Sequence, residues 1–187
     1  DLYKHFVRSY FNRGTALDGV IYYTGYEINE EGMNYTMWKC TLSGNGALPS
    51  WEKSHLVLPA FNQSNICAWN GMLIYRDEKD RYIKLYSPGE DMIYDTGIRI
   101  PDAEGKKYPN VTFVNAEGEL YLLVSEQEEK TVSGNKEYVD KDTQLYRIDI
   151  QKKAMYLLGT LASLQDEPVI TATKDGSGKV IITLMMK

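Results

Sequence analysis

The sequence predicts an all-β protein assembled from repeated four-stranded antiparallel units. Three observations predict it. Apolar and polar residues alternate over short runs such as DGVIYYTGYEI, ELYLLVSE and KVIITLMM, the period of a strand with one wet face. Turn glycines Gly19, Gly71, Gly118 and Gly178 recur at intervals of about 50 residues, each leading into such a run. Tyrosine outnumbers phenylalanine, 15 to 4, and a tyrosine ring packs against a sheet while its hydroxyl reaches water.

The bulk numbers bound the possibilities. A chain of 187 residues carries one domain with a substantial core. A hydrophobic content of 43% with 25% charged residues excludes wholesale disorder. The net charge of −5 argues against nucleic acid or an anionic membrane as partner. Apolar runs are strand-sized, so no direct membrane insertion is expected in this segment. The chain starts at Asp1, and a preceding segment holding a signal, an anchor or more of the fold is expected. Cys40 and Cys67 have neither metal nor redox spacing and read as two thiols inside strands; whether they bond is open.

In chain order, residues 1–14 stand apart. Leu2, Tyr3, Phe6, Val7, Tyr10 and Phe11 recur at helical spacing, which predicts a short amphipathic N-terminal helix. Residues 15–187 then form one β domain. A strand from Asp18, a polar loop at 27–34, YTMWKCTL and HLVL make the first set. NICAW, the Asn70–Gly71 turn, MLIYR, YIKLYS and DMIYDTG make the second; Asn-Gly is a strong hairpin signal. VTFV, ELYLLVSE, QLYRIDI and MYLLGT make the third, with a polar excursion at 127–142. PVITAT and KVIITLMM close the chain.

Strands A to D of each set, at this spacing, are the pattern of β-propeller blades. The order of a Gly turn, an LYLL strand, an LYRID or IKLYS strand and a short MIYDTG or MYLLGT strand resembles repeats of bacterial cell-surface and secreted β-propeller proteins. The resemblance covers residues 18–187 and concerns architecture alone. It implies three to four blades, and an incomplete array: the first set lacks its A strand and the last lacks C and D. A β-sandwich of the same strands is the alternative.

The repeat assigns the long connections, 27–34, 76–81, 126–142, 59–64 and 97–110, to one face. Candidate ligand-binding residues there are Arg76, Asp77, Arg99, Tyr108 and Glu126. Trp51 joins them as a packing residue or a platform for a sugar ring. It follows SGNGALPS, a poor match to the Asp box of sialidase-like propellers. A loop carboxylate pair is the raw material of glycoside hydrolysis.

Other chemistry is absent. No Gly-rich phosphate loop or Gly-x-Ser-x-Gly elbow occurs, and two histidines with two distant cysteines make no zinc site. The acidic run at 77–80 lacks EF-hand spacing and reads as a charged turn. No cofactor and no metal are expected. The expected function is that of an extracellular or cell-surface ligand-sensing or interaction module for a carbohydrate, peptide or protein. A propeller glycosidase and a structural assembly module, self-associating or completed by a missing segment, are the alternatives.

Overall fold

The computed structural model describes residues 15–29, 32–41, 50–58, 66–77, 80–101, 110–132, 134–161 and 169–185. The helix expected over 1–14 lies outside them. The described chain is all-β and forms three four-stranded antiparallel meanders and one hairpin. The first sheet runs β1 (Thr15–Leu17), β2 (Val20–Asn29), β3 (Gly32–Thr41) and β4 (Ser50–Leu58). The second runs β5 (Cys67–Trp69), β6 (Met72–Arg76), β7 (Tyr82–Ser87) and β8 (Met92–Arg99). The third runs β9 (Asn110–Ala116), β10 (Glu119–Val132), β11 (Asn135–Asp149) and β12 (Ala154–Leu161). The hairpin pairs β13 (Val169–Lys174) with β14 (Val180–Met185). Among the described residues no sheet closes on itself.

The three sheets share backbone devices that the sequence dictates locally. Each first hairpin turns on two residues with positive φ: Asp18 and Gly19 (50° and 77°), Asn70 and Gly71 (47° and 74°), Glu117 and Gly118 (50° and 91°). This is the turn whose twist matches its flanking strands, and glycine takes its second position without a Cβ penalty. The last hairpins of the second and third sheets also agree, each ending in a left-handed residue, Asp91 (50°) and Lys153 (51°). The register between third and fourth strands shifts in every sheet, at Thr36/Trp38, Tyr82/Lys84 and Leu145/Tyr146. In the second sheet the Thr96 hydroxyl bridges that bulge, donating to the Ile83 carbonyl (2.7 Å) and accepting from the Ile98 N–H (3.1 Å).

Two sequence expectations are corrected. The first set does have its A strand: Thr15–Leu17 pairs with β2 from Thr15↔Tyr22 to Leu17↔Val20. Three residues are too few to show an alternation, so the run is silent in sequence. The stretches 27–34 and 127–142 are not loops either. They are the far arms of hairpins, paired from Glu27↔Asn34 to Asn29↔Gly32 and from Gln127↔Asp140 to Val132↔Asn135. Both ladders are antiparallel pairings of polar runs, and in the longer one the charged pair Lys136–Glu129 (2.7 Å) is exposed, so no apolar alternation announces a strand.

The chain divides into two compact units, residues 1–99 and 100–187. In the first, Tyr22, Met37, Ile66, Leu73, Tyr75 and Tyr86 form a core between the first two sheets, with Leu17, Val20, Ala68 and Ile93 packed on it. In the second, Val114, Ala116, Tyr121 and Leu123 meet Ala172, Val180 and Ile182 of the hairpin. Each valine, leucine, isoleucine or methionine among them contributes about 1.5–3 kcal/mol when fully buried. Leu73 to Arg76 and Leu120 to Val124 are buried on both strand faces, so these stretches of the second strands have no wet side.

Candidate functional site

Sheet packing in the first unit leaves a cleft of about 240 Å³, lined by Tyr22 of β2, Met37 and Lys39 of β3, Glu52 and Lys53 of β4, and Tyr86, Pro88 and Asp91 at the end of β7 and its turn. The strand register places the charges. Lys39 and Glu52 are directly opposite across the β3–β4 ladder, with Nζ 2.6 Å from Oε2. Lys53, one residue on, faces Trp38 and sits 5.9 Å from the centre of its ring. On the second sheet the Tyr86 hydroxyl donates to the Asp91 carboxylate at 2.5 Å. Asp91 is held there by the left-handed end of its turn.

Two ammonium and two carboxylate groups thus surround a tyrosine-walled cleft and balance each other. Lys39 has its pKa raised, chiefly by the hydrogen bond it donates to Glu52, with the Asp91 charge adding to it. The Tyr22 phenol is also pushed up, first by burial, with Lys39 opposing and Asp18 and Glu52 reinforcing. Both shifts lead away from neutral pH. A proton-transfer group gains by moving toward it, so these side chains are tuned to keep fixed charge and fixed hydrogen-bond roles. The arrangement suits holding a polar ligand against an aromatic wall better than moving a proton.

The three sequence candidates with described side chains, Arg76, Asp77 and Arg99, fall elsewhere. Arg76 ends β6 and is 1% exposed, among the most buried large side chains of the protein. Asp77 is buried beside it; its N–H donates to the Tyr82 carbonyl (2.9 Å) and its carbonyl accepts from Arg81 (2.8 Å), closing the β6–β7 turn. Arg99 ends β8 on the surface, opposite Tyr82. Of the described side chains Arg76, Asp77 and Arg99, none lines the cleft. Trp51 lies within β4 opposite Cys40, and Glu126 lies at the β10 bulge between Ser125 and Gln127; their side chains, like all of Tyr108, lie outside the described residues.

The acidic run at 77–80 behaves as a turn. The Asp80 carboxylate accepts the Tyr82 N–H (2.9 Å) and pairs with Lys84 (2.8 Å). Among the described residues no cluster of three or more His, Cys, Asp or Glu is placed to hold a metal ion. Cys40 and Cys67 are both free thiols.

The cleft residues escaped sequence reading because they lie in strands, and a signal for them exists only in cross-strand register. Opposed Lys39 and Glu52 are separated by a long connection in sequence. The SPGED turn that carries Asp91 was visible, but as punctuation. No protein-family model matches the chain, and no curated protein matches it.

Proposed function

We propose that this chain is a propeller-like interaction module that binds a ligand in the cleft of its first unit. An uncharged polar group, a sugar ring foremost, fits best among carbohydrate, peptide and protein ligands. The observation that carries the reading is the balance of charge in the cleft. Lys39 and Lys53 with Glu52 and Asp91 leave no net charge to attract an ion, yet with Tyr86 they offer donors and acceptors around aromatic walls. The volume of about 240 Å³ is below the usual range for drug-sized ligands and matches one ring or one side chain.

The propeller construction belongs to the same proposal. It is supported by three sheets with one shared turn and one shared bulge position, and by second-strand stretches buried on both faces in two of them. The extracellular or cell-surface setting rests on the repeat resemblance alone. Among the described residues, no helix is long and apolar enough to cross a membrane.

The test is a glycan and peptide array followed by calorimetry on the wild type, Glu52→Gln and Lys53→Ala. Both side chains are exposed, so the substitutions are expected to leave the melting temperature unchanged and to weaken binding about tenfold or more. Binding untouched by both would refute the cleft. Release of product from a glycan on the array would replace the binding reading with the hydrolase one.

A further inference from the structure

The fourth strands of the three sheets hold the same place in the topology, at an outer edge. An edge presents unpaired backbone groups to any passing strand, and folded proteins commonly guard it with charge. β4 carries Glu52 and Lys53, and β8 carries Asp95 and Arg99. β12, with the sequence AMYLLGTL, carries none. Its Tyr156, Leu157 and Leu158 are 39%, 56% and 55% exposed. Arg147 covers the Tyr156 ring at 5.3 Å, which leaves the two leucines as the bare apolar surface.

We propose that β12 is where a second copy of this chain pairs, strand to antiparallel strand, in a two-fold dimer whose sheet runs on across the interface. Charge selects the copy and its direction. The turn at the start of β12 carries Lys152 and Lys153. Beyond its end, at Leu161↔Thr143, the β10–β11 arm projects further, with β10 paired to β11 as far as Val132↔Asn135. That arm, residues 126–142, holds more acidic than basic residues, Glu128, Glu129 and Asp142 among them. Antiparallel pairing brings each lysine turn beside the other copy's acidic arm, about two strand spacings or roughly 10 Å away, close to a Debye length. Parallel pairing sets lysine turn against lysine turn. The leucines of one copy then cover those of the other, as a two-fold axis requires. This inference does not involve the cleft.

Pairing of one eight-residue strand buries less than a standard interface, so association is expected over roughly 10–500 µM. Sedimentation of the wild type over that range is expected to show the mass rising from 21.4 kDa toward twice that value, less so in high salt. β12 amides are expected to exchange more slowly as concentration rises. Leu157→Lys places like charges across the axis; it is expected to stay monomeric, shifting the midpoint about tenfold or more at an unchanged melting temperature. Leu158→Lys is the second variant and is expected to behave alike. Monomer mass up to about 1 mM would overturn the proposal. So would a dimer that both variants leave intact, and a dimer indifferent to salt would overturn the antiparallel arrangement.

Discussion

The first and second sheets have the same strand order, the same first turn and the same register shift, and put opposite chemistry on that frame. Directly before the shift, the first sheet opposes Trp38 to Lys53 and the second opposes Lys84 to Asp95. Lys84 is buried, and its Nζ meets two carboxylates, Asp95 at 2.5 Å and Asp80 at 2.8 Å. Lys53 is exposed and rests over an indole. An ammonium withdrawn from water must be answered by opposite charge, whereas one in water needs only a surface for its stem. The ladder is therefore a template, and burial decides which pair it carries. The exposed version leaves a charge at the cleft; the buried version spends both charges on the fold.

The largest test of this contrast uses equivalent apolar positions. Leu73 pairs with Tyr86 and is fully buried, while Ile21 occupies the matching position opposite Cys40 and is 38% exposed. Leu73→Ala is expected to cost about 2–5 kcal/mol and Ile21→Ala under about 1.5 kcal/mol, read from denaturant unfolding. Equal costs would break the comparison.

Next come the paired charges. A double-mutant cycle on Lys84 and Asp95 is expected to give a coupling of about 0.5–1.5 kcal/mol, held down by the half-exposed Asp95. The Lys53–Trp38 cycle is expected to give at most about 0.5 kcal/mol. The lysines also differ in pH response. Burial acts to lower the pKa of Lys84, but the hydrogen bonds to Asp80 and Asp95 prevail and hold it above the ordinary value of 10.5. A raised folded pKa gives stability that is complete below the unfolded pKa and is lost as pH rises through the folded one. Melting temperature measured above pH 10 should therefore fall less steeply in Lys84→Met than in the wild type.

The turns should show no difference. Gly19 and Gly71 have nearly the same φ and open space where a Cβ would go. Each Gly→Ala should cost the left-handed strain alone, about 1–2 kcal/mol, and by the same amount in both sheets. The smallest effect belongs to the second unit. Glu119 accepts from Tyr121 (2.7 Å) and pairs with Lys174 of the hairpin (3.0 Å). These bonds lower its pKa, the Tyr121 hydroxyl most, so its stabilisation is present above pH 4.5 and is lost as pH falls through the lowered value. Glu119→Gln should slightly flatten the acid limb of the melting curve.

Much of the architecture was local and hence legible. Glycines at 19, 71 and 118 marked turns that only a left-handed second residue can make, and two-residue alternation marked most strands between them. The short β1 and the polar hairpin arms were not legible. The first is too brief for a period, and the second carries polar and charged residues in place of an apolar alternation. Arg76 shows the same limit from the other side. Its charge suggested a surface loop, yet it is 1% exposed at the end of a strand buried on both faces.

By itself, then, the sequence determined where the backbone turns and which segments extend, because those follow from the φ preferences of single residues and the period of their neighbours. Only the tertiary structure decided which strands lose both wet faces, which charges meet and where a cleft is left open. Those depend on register between segments far apart in the chain, and a shift of one residue would turn every side chain of a strand to its other face.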